Sequence, residues 1–311
     1  MQNDYLVSIV IPHYNSPELL GRLLESVPDR DDYQIVVVDD NSTKDLEILE
    51  KCKEQYSSEK CLFLRNTTGK NSAGTCRNIG LEHAKGKWLL FADADDVFLP
   101  QTEKILDKYM DSEYDIVFFT PTSFNYETGE KANRHIQIAK MIDKYLESKS
   151  REFELRLRYF QVCPWSKLIR KSVVDEYQIK YDATMVSNDV MFSTKCGHFA
   201  EKILATKEEI YCATKTSGSL VTQSSEKNYD IRTNVLIDKY LFLKENLSKE
   251  DCKLIGLDGL PIGRIYETWK KYKNVKKLLL YMKLFHKNKV KVLTPRLLNP
   301  AKVIKALKKS F

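Results

Sequence analysis

Short apolar runs alternate with helix-patterned segments through residues 1–100 of the chain. Four runs, at 7–11, 34–38, 61–64 and 88–92, are bounded by polar residues, glycine or proline and predict buried strands. Helical periodicity lies between them at 17–27, 44–56 and 73–84. Such alternation requires right-handed crossovers, so the sequence predicts an α/β fold with a mostly parallel sheet flanked by helices. Ligands of such sheets bind beyond the carboxyl ends of the strands.

The rest of the chain divides into an irregular α/β stretch and a helical end. Helices are predicted at 101–110, 139–160 and 189–198, strands at 115–120 and 209–213, and a hairpin turn at 126–129. Beyond Asn228 the pattern is helical throughout, without a repeat. We therefore expect one α/β domain over 1–225, with halves 1–100 and 101–225, followed by a helical extension over 226–311.

The helical end is strongly basic. Residues 264–311 hold 15 Lys or Arg and one acidic residue, Glu267, although the formal charge of the whole chain is only +7. Apolar residues recur among the lysines at 275–285 and 302–311, which predicts two basic amphipathic helices. Such helices bind anionic lipid, nucleic acid or an acidic partner, or they pack on a domain with their lysines in water. We favour an anionic membrane surface as the partner.

The start of the chain and its cysteines bear on localisation. The first residues carry no basic n-region, and the apolar run 6–11 is too short for a signal peptide or a membrane span. Seven scattered cysteines without a Cys-x-x-Cys spacing favour reduced, mostly buried thiols. The sequence predicts a cytoplasmic protein, peripheral at the inner face of the cell membrane through its basic end.

Three carboxylates crowd the end of the fourth predicted strand, in Phe91-Ala-Asp93-Ala-Asp95-Asp96. Mg²⁺ or Mn²⁺ takes carboxylate oxygens as ligands and accepts the oxygens of a bound diphosphate. An Asp-x-Asp pair after a strand suits that geometry. Because Asp is also common in turns before helices, a solvated acidic turn capping the next helix is the alternative.

Two further polar segments follow the first and second predicted strands. Ile11-Pro-His-Tyr-Asn15 offers an aromatic face for a base, although a core tyrosine is the alternative. Val38-Asp-Asp-Asn-Ser-Thr43 offers a carboxylate for a ribose or a nucleobase imide, or merely caps for the helix that follows Ser42 and Thr43. Both segments lie where a nucleotide would bind.

Motifs of several other enzyme classes are absent from the sequence. Gly-x-Gly-x-x-Gly does not follow the first strand, and neither Gly-x-x-x-x-Gly-Lys-Ser/Thr, His-Glu-x-x-His nor Gly-x-Ser-x-Gly occurs. These absences argue against a Rossmann dehydrogenase, a P-loop NTPase, a zinc protease and an α/β-hydrolase. A sugar-1-phosphate nucleotidyltransferase would require a Gly-rich basic loop after the first strand, and residues 12–15 do not supply one.

The order and spacing of four segments resemble glycosyltransferase family 2. They are Val7-Ser-Ile-Val-Ile-Pro-His-Tyr-Asn15, Val37-Val-Asp-Asp-Asn-Ser42, Asn71-Ser-Ala-Gly-Thr-Cys-Arg-Asn78 and Asp93-Ala-Asp-Asp96. The resemblance is specific over 5–100, weaker to 220 and absent from the helical end. It implies a GT-A nucleotide-sugar fold, with 1–100 as the nucleotide-binding half and 101–225 as the acceptor half of a catalytic domain.

The resemblance also implies roles for individual residues. The donor nucleotide would be bound by Pro12, Tyr14, Asn15, Asp40, Arg77 and Asp93. Asp95 and Asp93 would be the metal ligands, and Asp96 a further phosphate or acceptor contact. Family members carry a Glu-Asp pair after a Trp-x-Lys segment, and its Asp is the catalytic base; here Trp165-Ser-Lys167 precedes Ser187-Asn188-Asp189. Asn188 replaces the usual Glu. Asp189 opens a predicted helix, where a base or an ordinary helix-terminal carboxylate fits.

The implied reaction is an inverting, metal-dependent transfer of a hexose from a UDP-sugar to a hydroxyl of a glycan or lipid-linked oligosaccharide. Asp189 would take the hydroxyl proton, and Mn²⁺ or Mg²⁺ at Asp95 would neutralise the departing diphosphate. Trp165 and Lys167 are further candidate contacts, and Lys215 and Ser219 lie in a polar segment that we expect to close over the phosphates. Bacterial capsule or exopolysaccharide synthesis is the expected setting.

Two other functions remain as alternatives. A non-catalytic nucleotide-sugar-binding or scaffold protein with a membrane-binding tail would keep the fold without turnover, although the acidic cluster and Asp189 argue against it. A nucleic-acid-binding protein would use the basic tail, but clustered aromatic residues on a strand platform are not evident. We therefore expect no nucleic acid partner.

Overall fold

The computed structural model describes residues 5–215, 225–290 and 292, and the chain separates into two compact units, Met1–Gln223 and Ser224–Phe311. The strands of the first unit are β1 (Val7–His13), β2 (Tyr33–Asp39), β3 (Cys61–Arg65), β4 (Trp88–Phe91), β5 (Val97–Phe98), β6 (Ile116–Phe119), β7 (Thr122–Asn125), β8 (Lys167–Arg170), β9 (Ile203–Thr206) and β10 (Tyr211–Lys215). Its helices are α1 (Pro17–Ser26), α2 (Leu46–Tyr56), α3 (Ala73–His83), α4 (Thr102–Asp107), α5 (Ile136–Ser148), α6 (Arg151–Phe160), α7 (Lys171–Glu176) and α8 (Asn188–Phe199).

Seven strands of the first unit form one sheet in the order β3-β2-β1-β4-β8-β6-β9. β1 pairs in parallel with β2 and β4, β2 with β3, and β6 with β9, while β8 runs antiparallel to β4 and β6. The predicted mostly parallel α/β sheet flanked by helices is confirmed. A second sheet, in the order β5-β10-β7, was not predicted from the sequence.

The central strands are the most apolar part of the chain. All seven residues of β1 and all four of β4 are buried, because helices cover both faces of a sheet of this kind. Burying each large aliphatic or aromatic side chain stabilises the fold by about 1.5–3 kcal/mol. The core therefore fixes the positions of the strand ends and of the loops that follow them.

Two predicted helices differ from those in the structure. The second was expected to start at 44 but α2 begins at Leu46, after Asp45 in the left-handed region (φ 52°). Ser42 does not cap it, because its hydroxyl donates to Asp39 and accepts the backbone N–H of Asn15. The single helix expected over 139–160 is two helices, which Lys149 separates with a φ of 46°.

The second unit contains α9 (Glu226–Asn246), α10 (Lys249–Leu254), α11 (Gly259–Tyr272) and α12 (Val275–Lys287). α12 buries Tyr281 and Phe285 and exposes Leu279 and Leu280, so the amphipathic pattern expected at 275–285 is present. The helix predicted at 302–311 lies outside the described residues. Within the described ranges, every helix is too short or too polar to cross a bilayer.

Candidate active site

The loops after β1, β2 and β4 lie side by side, because β1 pairs with both of its neighbours in parallel. β8 enters the same edge from the opposite direction, since Leu168 pairs with Leu90 in an antiparallel register. The start of β8 therefore lies next to the end of β4. This edge gathers residues from 12–15, 39–42, 93–96 and 165–167, which are far apart in the sequence.

A buried hydrogen-bond network joins the loops after β1 and β2. His13 Nε2 accepts the N–H of Ser16 at 3.2 Å, so Nδ1 carries the proton that it donates to Asp39 at 2.9 Å. Ser42 donates from both its backbone N–H and its hydroxyl to the same carboxylate. Burial acts to raise the pKa of Asp39, but the bonds from His13 and Ser42 lower it to about 2. Asp39 therefore holds the two loops together as a permanent anion.

The residues predicted to bind the nucleotide in the first loop have different environments. Pro12 is buried within β1, whereas Tyr14, directly beyond that strand, is 55% exposed. Asn15 has a φ of 52°, and its Oδ1 accepts the backbone N–H groups of Thr43 at 2.7 Å and Lys44 at 3.0 Å. The side chain of Asn15 thus fixes the second loop, while Tyr14 presents a free aromatic ring beside it.

Asp40 lies next to this network at the end of β2. Its Oδ1 accepts a hydrogen bond from Asn66 Nδ2 at 2.6 Å, and its backbone N–H donates to the carbonyl of His13. Burial raises the pKa of Asp40 because few water molecules reach its carboxylate. The carboxylate is held in one orientation at the carboxyl edge of the sheet.

Asp93, Asp95 and Asp96 bring one carboxylate oxygen each to within 4.8 Å of one another. Burial and the neighbouring carboxylates raise the pKa values of Asp95 and Asp96, since like charges at this separation oppose ionisation. Among the described residues, this is the group of carboxylate, His and Cys side chains that could hold a metal ion. Oxygen-only ligands of this kind suit Mg²⁺ or Mn²⁺.

Asp96 is the structural member of the cluster. It is fully buried, and its two oxygens accept the hydroxyl of Tyr211 at 2.7 Å and the backbone N–H of Thr214 at 2.6 Å. Tyr211 also accepts the backbone N–H of Asp93 at 2.9 Å. Arg134 Nη1 lies 3.6 Å from Asp96 and donates to the carbonyl of Thr214. These contacts link β10 to the acidic loop.

Asp95 is the member with the most available carboxylate. Its side chain makes no hydrogen bond with another residue in the described part of the chain, and its backbone carbonyl accepts Arg22 Nη2 at 2.5 Å. Arg22 in turn lies over the ring of Tyr126, 4.3 Å from its centroid. The hairpin beyond β7 and helix α1 therefore hold the loop through the backbone of Asp95, while the charges on Arg134 and Arg22 act on its carboxylate.

Arg77 connects the acidic cluster to α8. Its Nη2 donates to Asp93 at 2.6 Å and its Nη1 to Asn188 Oδ1 at 2.9 Å. The guanidinium also lies over the ring of Tyr181, 5.3 Å from its centroid. Arg77 is 5% exposed, and this buried cation lies between Asp93 and the first turn of α8. Asn188, at the position where the resemblance led us to expect Glu, accepts the hydrogen bond from Arg77.

Asp189 follows Asn188 in the first turn of α8. Burial raises its pKa, the charge on Arg77 and its own backbone hydrogen bond oppose that shift, and Asp93 adds to it. A carboxylate with a raised pKa is a stronger base than an ordinary aspartate. Asp189 directly follows Asn188, the residue through which Arg77 is joined to α8.

Trp165 and Lys167 are both in the core beneath this edge. Trp165 is 3% exposed and stacks on Tyr211, with ring centroids 5.6 Å apart. Lys167 is 2% exposed, and its ammonium donates to the carbonyl of Gln161 at 3.0 Å and to Ser193 Oγ at 3.1 Å. Burial lowers the pKa of Lys167 to about 8. Their surroundings are those of residues that support the site from below.

Of the other predicted contacts, Lys215 is the last residue of β10 and is exposed to solvent. Ser219 lies outside the described residues, as does most of the segment that we expected to close over the phosphates.

Three residues that hold the site were not predicted from the sequence. Arg22, Arg134 and Tyr211 hold the acidic loop, yet they belong to α1, the turn before α5 and β10. A lone Arg or Tyr in such segments has no distinguishing neighbours. Tyr211 could have been suspected from its place in a predicted strand, but its partner is 115 positions away.

The sequence of this chain matches the model of a known protein family. The model of glycosyl transferase family 2 matches residues 8–178, more than half of the chain. The chain belongs to glycosyl transferase family 2. The predicted resemblance is therefore confirmed, and its matched region contains the loops after β1, β2 and β4.

Two curated relatives within this family are similar in sequence. A poly(ribitol-phosphate) beta-glucosyltransferase of Bacillus spizizenii is 39% identical over 95 residues, covering 29% of this chain and 15% of that protein. The poly(ribitol-phosphate) beta-N-acetylglucosaminyltransferase TarS of Staphylococcus aureus is 24% identical over 241 residues, covering 74% of this chain and 40% of TarS. The chain thus spans less than half the length of either relative.

Solved structures agree on the fold. A crystal structure of S. aureus TarS 1–349 in complex with UDP-GlcNAc matches with a TM-score of 0.69 at 20% identity, over 98% of this chain and 90% of that one. The mannosyltransferase PcManGT of Pyrobaculum calidifontis, in complex with GDP-Man and Mn²⁺, matches with a TM-score of 0.57 at 15% identity, over 99% and 87%. The GT-A fold expected for the family is confirmed.

Proposed function

We propose that this family 2 domain transfers a hexose from a UDP-sugar to a hydroxyl of a glycan or lipid-linked acceptor in cell-envelope polymer synthesis. One observation carries the proposal: Arg77 donates to Asp93 at 2.6 Å and to Asn188 at 2.9 Å, which joins the acidic cluster to the residue before Asp189. A diphosphate-binding group and a base are thereby held at one edge of the sheet. Residues 1–100 would bind the donor and 101–225 the acceptor.

The donor nucleotide fits the loops after β1 and β2. Asp40 would accept a hydrogen bond from the imide of the base, and the exposed ring of Tyr14 would lie against its face. Asn15 would contribute by holding the second loop through its bonds to Thr43 and Lys44. The choice of UDP is also supported by a solved relative in complex with UDP-GlcNAc.

Asp189 would act as the catalytic base in a single in-line displacement. It removes the proton of the acceptor hydroxyl as that oxygen forms a bond to the anomeric carbon. The bond from the anomeric carbon to the diphosphate oxygen breaks, the electron pair leaves with the nucleoside diphosphate, and the configuration inverts. The charge on Arg77 opposes the rise that burial causes in the pKa of Asp189, which favours the ionised form that a base requires.

The donor set of the acidic cluster fits a divalent cation. Asp96 already has partners for both oxygens, so Asp95 and the oxygen of Asp93 turned away from Arg77 would hold the ion. Mn²⁺ or Mg²⁺ bound there would neutralise charge on the diphosphate. A structurally similar mannosyltransferase was crystallised with Mn²⁺, which supports this assignment.

Release of UDP tests the function directly. A panel of nucleotide sugars is incubated with the protein in Mn²⁺, Mg²⁺ or EDTA, with cell-envelope extract as the source of acceptor. We expect metal-dependent UDP release that Asp189→Asn and Asp95→Ala each lower by about 10²-fold or more. Asp45→Asn, in the αL residue before α2, is the matched control and should retain activity.

Other outcomes separate the alternatives. Tight binding of a UDP-sugar without turnover, even with extract, would favour a scaffold that only binds the donor. Equal activity of wild type and Asp189→Asn would remove Asp189 from the chemistry while leaving the transferase. Retention of the anomeric configuration in the product, read by NMR, would contradict the single displacement.

We also propose that the second unit associates with the inner face of the cell membrane. Its described residues expose Trp269, Val275, Leu279 and Leu280 among lysines, which is the composition of surfaces that adsorb to anionic leaflets. Wild type should sediment with anionic vesicles at low salt and be released at high salt, and Leu279→Gln with Leu280→Gln should sediment less. Sedimentation that this change leaves unaltered would contradict the assignment.

A further inference from the structure

A basic concavity lies within the second unit, between α9 and α11. Its volume is about 600 Å³, and it is lined by Tyr229, Arg232, Arg264, Glu267, Lys270 and Lys271. Four of these six side chains are cationic and one is acidic. Concavities of this size accommodate small ligands or a short stretch of polymer. The excess of cations selects for an anion.

The floor of this basic concavity is rigid. Tyr229 is 5% exposed, and its hydroxyl lies 2.9 Å from Thr268 Oγ1 and donates to the carbonyl of Arg264 at 3.2 Å. Arg264 and Lys271 lie over the Tyr229 ring, at 4.8 and 5.0 Å from its centroid. Both cations are therefore positioned by an aromatic ring that is itself fixed to α11.

Several donors in the basic concavity have capacity left. Glu267 pairs with Arg264 Nη1 at 3.2 Å, but the buried Nε of the same guanidinium has no hydrogen-bond partner. Within the described ranges, Arg232 and Lys270 form no ion pair. Forked guanidinium groups match the oxygens of a phosphate, and an ammonium adds a point charge. Phosphate oxygens are the ligand atoms that this set of donors fits.

Two other ligands fit less well. Single-stranded nucleic acid binding requires an aromatic ring on which a nucleobase can stack. The face of the Tyr229 ring is covered by the cations of Arg264 and Lys271, so it cannot stack on a base. A membrane would contact the exposed apolar residues of this unit rather than the basic concavity. On α11, Trp269 is rotated by roughly 170° from the mean direction of the lining residues, at about 100° per residue, so it lies on the opposite face of that helix.

We infer that this basic concavity binds the phosphate groups of an anionic, phosphodiester-linked acceptor polymer. This inference rests on the proposed function, because it names the class of acceptor for that transfer. A repeating phosphodiester would place one phosphate in the concavity and leave its hydroxyl-bearing units free for glycosylation. Binding then depends on salt, because each phosphate contact releases bound counterions.

Binding of a labelled glycerol-phosphate oligomer by the full chain tests the inference. Fluorescence anisotropy compares wild type, Arg232→Gln with Lys270→Gln, and the control Lys249→Gln with Lys253→Gln, which removes the same charge from α10. Wild type and control should bind alike, and the concavity variant about 100-fold more weakly, since each lost charged contact costs about tenfold. An uncharged dextran oligomer should not bind.

Two results would overturn the inference. One is equal affinity of the concavity variant and the control for the oligomer. The other is loss of binding to phosphatidylglycerol vesicles with unchanged binding of the oligomer, which would assign the basic concavity to lipid headgroups. Absence of UDP release by wild type would contradict the proposed function separately, whatever the oligomer does.

Discussion

Gly74 lies where α3 meets the segment that precedes α8, and its replacement by Ala tests how tightly that segment is held. An added Cβ would lie 2.1 Å from the backbone carbonyl oxygen of Asp182 and 2.8 Å from the Cβ of Asn188. Non-bonded carbon and oxygen atoms stay more than roughly 3 Å apart, so a backbone atom must move by about 1 Å. Overpacking of this kind costs about 1–3 kcal/mol.

The displacement should also lower the rate of the reaction. Asn188 accepts a hydrogen bond from Arg77 and precedes Asp189, so a shift of the segment moves the proposed base relative to the acidic cluster. A misplacement of about 1 Å can reduce turnover about 100-fold. We therefore expect Gly74→Ala to lower the free energy of unfolding by about 2 kcal/mol and the rate of UDP release by about 10- to 100-fold.

Gly21→Ala provides the matched control. Gly21 lies within α1, and an added Cβ there would meet no atom within 4 Å. The same change should raise the free energy of unfolding by about 0.5–1 kcal/mol, because Ala favours helix over the unfolded chain. Urea denaturation and UDP release measure both variants. Equal stability of the two variants, or full activity of folded Gly74→Ala, would refute the close packing described here.

Three further predictions follow from buried polar groups. Tyr211→Phe should lower the free energy of unfolding by about 2 kcal/mol, because the N–H of Asp93 and an oxygen of Asp96 lose their partner. Tyr33→Phe should be close to neutral in the same urea titration, since that buried hydroxyl has no hydrogen-bond partner; equal losses would contradict the role of Tyr211. Between pH 8 and the ordinary lysine pKa near 10.4, unfolded Lys167 binds a proton that the native state, with a pKa of about 8, does not. Wild type should therefore gain up to about 3 kcal/mol relative to Lys167→Met as pH rises through that window, and a constant difference would refute the burial of a lysine ammonium. Finally, burial raises the pKa of Asp189, so kcat/KM should fall on acidification with an apparent pKa above the ordinary aspartate value of about 3.9; a profile flat down to that pH would exclude Asp189 as the base.

The local parts of the site could be predicted from the sequence. Each polar segment follows an apolar strand directly, so its place at the carboxyl edge follows from the strand that precedes it. The acidic triplet was similarly visible, because three carboxylates within four residues must be neutralised together. The family resemblance added Arg77 and Asp189, which have no local signature.

Distinguishing positions within these segments required the structure. Asp39 and Asp40 are adjacent, yet Asp39 joins the loops through His13, whereas Asp40 accepts a hydrogen bond from Asn66. Asp95 and Asp96 differ in the same way, because Tyr211 and Thr214 occupy the oxygens of Asp96. Lys167 was expected to contact phosphate or acceptor; in the structure its buried ammonium donates to Gln161 and Ser193.

The sequence by itself determined β1 to β4, α1 to α3 and the residues that stand at the ends of these strands, because they depend on neighbours a few positions away. Tertiary structure alone decided which of those residues meet. Arg77 and Asn188 are 111 positions apart, and Tyr211 and Asp96 are 115 apart. Such contacts depend on the order and register of strands in the sheet, which form only when the whole apolar core is buried together.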